Sequence, residues 1–233
     1  AGEPRTHDGF FLRLSTGLGA ANSEIDVEGA SIELSGAGGD VNFAIGGIVR
    51  PNLALHATLW SWVLTDPDAD ITVPGFGSAS GELDGDVTMS AIGGGVTYYV
   101  MPANFYLTGS VGMGSLELDT DLADAETDMG LVLDFGLGKE WWVGNSWGLG
   151  LNGGASYHSI PDNDVDENWS GTSFALRFSA TFLAKEEADL YEEWIRNRRR
   201  FREIQRKMLA LAKKALPVAV RIRREESGSK EQA

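Results

Sequence analysis

A chain of 233 residues, 42% of them hydrophobic, can bury a core, and its 30 glycines and seven tryptophans favour tightly packed β structure. No run of 18 apolar residues occurs, which excludes a transmembrane helix, and the absence of cysteine excludes disulfides and thiolate chemistry. The net charge of −15 conceals a reversal: residues 1–184 carry 5 Lys and Arg against 25 Asp and Glu (−20), whereas residues 185–233 carry 14 against 9 (+5). An acidic body of this kind offers nothing to nucleic-acid phosphates.

In chain order, strict apolar–polar alternation predicts eight strands near residues 10–20, 39–49, 53–63, 88–100, 105–116, 129–142, 147–158 and 172–182. Each is long enough to cross a bilayer when tilted, which takes about 9–11 residues. One face is apolar, as in Leu12, Leu14 and Leu18 or Phe174, Leu176 and Phe178, and the other holds glycines, serines, threonines and asparagines. Alternation alone would also fit a soluble lipocalin-like barrel with its apolar face inward. The connections separate the two. Residues 50–52, 101–104 and 143–146 are tight turns, and the intervening links at 21–38, 64–87, 117–128 and 159–171 are long, polar and acidic. That asymmetry predicts an all-β fold, an eight-stranded antiparallel up-and-down transmembrane β-barrel, with both termini and the short turns in the periplasm. Aromatics near the strand ends, among them Trp60, Trp62, Tyr98, Tyr99, Phe105, Tyr106, Trp141, Trp142, Trp147 and Trp169, are expected to form interfacial girdles.

With strand pattern, turn asymmetry and the closing "RFSATF" in view, residues 8–182 resemble the small eight-stranded outer-membrane barrels, the group of the OmpA membrane domain, OmpX and the opacity proteins. The resemblance implies a Gram-negative outer membrane, contact with its lipid and lipopolysaccharide, and recognition of Phe178 and Phe182 by the barrel-assembly machinery. It also raises a rival, because small barrels of this group include lipid A deacylases and acyltransferases.

An eight-stranded barrel has room inside only for side chains. The phase of the strands puts Arg13, Asp40, His56, Asp134, Glu140 and Arg177 on the inner face, and the charged five are expected to form an ion-pair network, since an isolated buried ion costs several kcal/mol. The network reads as a structural plug, or alternatively as a gate for ions or protons. For the rival enzyme, "SYHSIPDND" offers His158, Ser159, Asp162 and Asp164, but neighbouring strand residues point to opposite faces, so His158 and Ser159 are not expected to meet. The aspartate runs at 66–70, 119–128 and 162–168 lack the glycine and distal glutamate of an EF-hand loop and read as a solvated rim, with cation bridging to lipid heads as the alternative. No catalytic residue, metal site or cofactor is expected.

After Ala184 the period becomes helical. Residues 185–216 are expected to form an amphipathic periplasmic helix and 217–233 a disordered tail. Leu190, Trp194, Phe201, Ile204, Met208 and Leu211 follow a four–three alternation interrupted at Asn197, the pattern of a coiled-coil seam, and arginines crowd the opposite face. Such a seam implies docking with a periplasmic protein partner or homo-oligomerisation, with the inner leaflet or the barrel mouth as alternative resting places. The whole chain thus reads as a structural or interaction module without enzymatic activity; the alternatives are the lipid A hydrolase and a narrow channel or carrier for small apolar ligands.

Overall fold

The computed structural model describes residues 7–27, 29–120, 124–184, 196, 198–203 and 205–207. It divides into two compact units, residues 1–185 and 186–233. In the first, the strands are β1 (Phe10–Val27), β2 (Ala30–Arg50), β3 (Leu53–Thr65), β4 (Asp68–Val73), β5 (Gly77–Glu82), β6 (Gly85–Val100), β7 (Phe105–Thr120), β8 (Asp124–Glu126), β9 (Gly130–Trp142), β10 (Trp147–Pro161) and β11 (Asn168–Ala184). Eight of them close a ring in the order β1–β11–β10–β9–β7–β6–β3–β2 and back to β1, every pairing antiparallel. The remaining three extend its upper rim: β4 pairs with β2 and with β5, and β8 pairs with β7.

The eight expected strands are all present, but most run further than expected. β1 and β2 have 18 and 21 residues, and Val27 pairs with Ala30, so the expected loop at 21–38 is the paired top of a hairpin. Likewise the stretch expected as a loop at 64–87 contains β4 and β5. They prolong the β3–β6 hairpin past a break where Asp66, at a φ of 48°, receives a hydrogen bond from the Gly85 amide on its Oδ1 at 3.2 Å.

The reason lies in the solvent outside the wall. Through the lower part of β1 the outward residues are Leu14 and Leu18, 55% and 77% exposed, and the inward ones are Arg13 and Ser15. Further up, Glu24 and Asp26 face outward and Ile25 is buried. The ladder of backbone hydrogen bonds continues unbroken while the polarity of its two faces inverts. A face rich in exposed Leu, Val, Ile and Phe, repeated on all eight ring strands, far exceeds the apolar patch a water-soluble monomer tolerates and marks the lower part as lipid-facing.

The aromatics obey the same alternation, which corrects the expected girdle. In the pairs Tyr98–Tyr99, Phe105–Tyr106 and Trp141–Trp142 the first ring points outward and the second into the barrel. Trp60 and Trp62, two apart, are both buried inside, and of the aromatics expected in the girdle Tyr98, Phe105, Trp141 and Trp147 face outward near the short turns. In the second unit, residues 196, 198–203 and 205–207 are helical, with Lys207 and Glu203 paired at 3.0 Å on the surface.

Candidate functional site

The barrel interior is built in tiers. At the short-turn end Phe11, Tyr99, Tyr106 and Leu183 pack with Ala44 and Ala54. His7, just before β1, closes this tier: its backbone N–H donates to Asn52 Oδ1 at 3.1 Å and its ring stacks on Tyr99 at 3.6 Å. Burial lowers the His7 pKa to about 4, against a smaller opposing effect of Asn52.

Above it lies the polar tier. Arg177 Nε and Nη2 form a fork on Asp40, Nη2 to Oδ2 at 2.9 Å, and Nη2 also reaches Asp134 Oδ1 at 3.0 Å. Asn42 donates to the far oxygen of Asp134 at 3.4 Å. A Cβ on Gly154 would lie 2.5 Å from Arg177 Nη1, so only glycine leaves the guanidinium its place. Gly138 does the same for the Tyr106 ring, 2.4 Å from where its Cβ would stand. Arg13, also buried, makes no ion pair among the described residues. Its Nη2 donates to Thr97 at 3.0 Å and Thr108 at 3.2 Å, and its guanidinium sits 4.6 Å from the Tyr106 ring centroid, a cation–π contact. Glu140 accepts hydrogen bonds from Thr181 at 2.6 Å and Tyr99 at 3.3 Å. The five charged residues named from the sequence therefore fall into an ion-paired triad, Arg177–Asp40–Asp134, and two singly held charges, Arg13 and Glu140.

The third tier is apolar: Trp60, Trp62, Leu64, Met89, Val132 and Ile160 pack across the barrel. Just here His158 Nε2 and Ser23 Oγ are 2.9 Å apart, a pair the sequence reading missed because they stand on strands that meet only through β11. No hydrogen-bond partner orients His158 Nδ1 among the described residues. Ser159 points to the other face and accepts from Asn168, while Asp162 is engaged by Trp169, so the residues of the "SYHSIPDND" stretch do not assemble into a triad.

Above this band, beyond the lipid-facing part, the prolonged strands and the segment at 162–164 border an open-mouthed cavity of about 360 Å³. Ile32 and Leu34 of β2, Ile71 of β4, Leu83, Leu118 of β7 and Trp169 of β11 line it, and Val87 and Leu116 join its floor to the apolar tier. The signal was in the sequence as short alternations, "SIELS" at 31–35 and "LELD" at 116–119, with the apolar phase opposite to that of the strand below. Asp162 accepts the Trp169 indole N–H at 2.9 Å and the amides of Asp164 and Val165 at 2.8 and 3.3 Å. Burial pulls its pKa up, but these three hydrogen bonds outweigh it and hold the carboxyl below its ordinary value. No metal-holding cluster of His, Asp and Glu exists among the described residues.

Phe178 and Phe182 lie on the outer face of β11, Phe182 with its ring 5.0 Å from that of Trp147. Of the seam expected in the tail, Phe201 is described and is exposed; Leu190, Trp194, Ile204, Met208 and Leu211 lie outside the described residues.

No protein-family model matches the chain, and no curated protein matches it in sequence. Among solved structures it is similar to the crystal structure of Neisserial surface protein A, with a TM-score of 0.50 and 14% identity over 76% of this chain and 97% of that one. The chain has the fold of the small outer-membrane β-barrels. OprG from Pseudomonas aeruginosa (TM-score 0.41, 14% identity, 76% of this chain and 98% of that one) and Ail of Yersinia pestis with a heparin analogue (0.39, 12%, 75% and 99%) align over the same extent. What sets this barrel's own chemistry is the residues just described, since identities this low carry the fold alone.

Proposed function

We propose that the protein is an outer-membrane module that is closed along its axis and presents an anionic collar to the exterior, acting by interaction and not by catalysis. One observation carries the reading. The four long connections at 21–38, 64–87, 117–128 and 159–171 hold four, six, six and four Asp and Glu, 20 in all, and no Lys or Arg. The barrel's five basic residues lie elsewhere: Arg13 and Arg177 in the lumen, Arg50 and Lys139 at the short-turn end and Arg5 before β1. Long connections outside and short turns with the termini in the periplasm is the arrangement such barrels use. A collar of one sign steers cationic partners and repels anionic ones. The two apolar tiers above and below the polar layer favour a plug over a pore. On the periplasmic side, the seam that includes Phe201 is proposed to dock a partner helix, which truncation after Ala184 followed by crosslinking tests: unchanged partners and oligomeric state overturn it.

The orientation is tested with protease on intact cells. Cleavage at the exposed β4–β5 turn around Phe76 without permeabilisation is expected, together with outer-membrane fractionation and faster migration of the unboiled protein on denaturing gels. Cleavage only after permeabilisation overturns the reading.

A further inference from the structure

The cavity above the Trp60–Trp62 band has two properties that together specify a ligand. Its walls are aliphatic and aromatic, and its volume of about 360 Å³ is that of a site for one small molecule, near the lower end of the usual range of roughly 300–1,000 Å³. The charged residues along its lining are all acidic, with no Lys or Arg: Asp162 and Asp164 stand on the segment that closes one side, and Glu117 and its ladder partner Glu126 turn their side chains to the outer face. We propose that this cavity binds a small amphiphilic cation, an aromatic or alkyl body carrying an amine or quaternary ammonium group. The inference deepens the proposed function and rests on it only for the side of the membrane from which the ligand arrives.

The apolar body is accounted for by the walls, where burial contributes roughly 25 cal/mol for each Å² removed from water. The head group is specified by charge. An anionic amphiphile of the same shape would meet the Asp162 and Asp164 carboxylates at the cavity and a collar of like charge around it, Glu117 and Glu126 included, whereas a cation is attracted by both. Asp162 is the more firmly placed of the two aspartates, fixed by three donors, one of them the indole of Trp169, which lines the same cavity. An ammonium beside a carboxylate and an indole meets the two groups that bind it best after desolvation.

The walls are also tied together in advance, which limits the ordering cost of binding. Asn163 Nδ2 donates to Glu126 O at 2.5 Å, the Asp128 amide to Pro161 O at 3.1 Å, and the Leu116 amide to Thr127 Oγ1 at 2.9 Å. The segment at 162–167 is thereby joined to β8, and β8 to β7. Below, the apolar tier, crossed by neutral polar side chains such as the Ser23–His158 pair, separates the cavity from the Arg177 triad.

The test uses the full chain in phosphatidylcholine nanodiscs and three probes of one shape: 4-phenylbutylamine, 4-phenylbutanol and 4-phenylbutyrate. Binding is measured calorimetrically at pH 7 against empty discs. The amine is expected to bind about tenfold more tightly than the alcohol, and the carboxylate more weakly than either. In the double variant D162N/D164N the amine should fall to within about twofold of the alcohol. Leu34→Trp, which fills the cavity, should abolish binding of all three, with the gel shift of the folded barrel retained in both variants. Equal affinity for the three probes, an amine preference that survives D162N/D164N, or binding unaffected by Leu34→Trp overturns the proposal. Failure here with the β4–β5 turn still cleaved on intact cells removes the cavity assignment alone. Binding in discs with cleavage only after permeabilisation removes the orientation alone.

Discussion

The polar tier around Arg177 and the cavity above Trp62 share β1, β2, β6, β7 and β11 in their walls, yet their contents are opposite. The first encloses ion pairs and hydroxyls behind a wall whose outer face is Leu, Val and Phe; the second encloses Leu, Ile and Trp behind a wall whose outer face is Asp and Glu. The comparison teaches that the interior of each level is set by what wets its exterior. Lipid outside claims the apolar half of an alternating strand and leaves the polar half for the lumen. Water outside reverses the assignment. The lower interior is therefore closely bonded and intolerant, and the upper one is loosely filled and tolerant.

Substitutions grade that contrast. Arg177→Ala strands Asp40 and Asp134 without their cation and is expected to cost about 3–5 kcal/mol, seen as a lower temperature for loss of the gel shift; a barrel as stable as the parent would break the comparison outright. Gly154→Ala displaces the same guanidinium sterically and should cost roughly 1–3 kcal/mol in a urea titration of the folded band.

A smaller effect is expected at His7. Its folded pKa of about 4 lies below its ordinary 6.5, so in this window the unfolded chain takes up the proton that the folded one refuses. Stability contributed by the neutral ring is complete above about 6.5 and declines as the pH falls toward 4. Urea midpoints at pH 7.5 and 5 should therefore differ more in the parent than in His7→Phe; equal differences refute the assignment. Smallest of all, Asp162→Asn at the cavity keeps one carbonyl oxygen for the Asp164 and Val165 amides but loses the acceptor of the Trp169 indole, and should cost about 1 kcal/mol of barrel stability. A loss as large as that of Arg177→Ala would mean that the rim is as tightly bonded as the lumen.

How much of this was legible follows from the same inversion. The eight membrane segments could be read because their alternation keeps one phase for about ten residues, as at Leu131, Leu133, Phe135 and Leu137. Inward charges followed from that phase, although which acid meets which base did not: Asp40 and Arg177 are 137 positions apart and two strands apart in the ring, and no local pattern encodes such a reach. The upper strands were mistaken for loops because acids on their outer face resemble solvated connections. There the apolar phase has shifted to the other parity, so a pattern matched from below ends at the membrane surface although the hydrogen-bond ladder does not. Split aromatic pairs such as Tyr98–Tyr99 show a related blind spot. Position along the strand was read correctly, while side was not.

The polarity inversion along β1, β2 and β7 has a practical consequence for anyone redesigning the molecule. One continuous strand must satisfy two sets of composition rules, with the changeover at a height fixed by bilayer thickness. The upper third follows the rules of water-soluble β proteins, so its core can be repacked and its surface charged by methods developed for those. Moving that boundary by two residues in either direction would put leucines in water or carboxylates in hydrocarbon. The point of inversion therefore acts as a ruler by which the sequence fixes how deep the barrel sits.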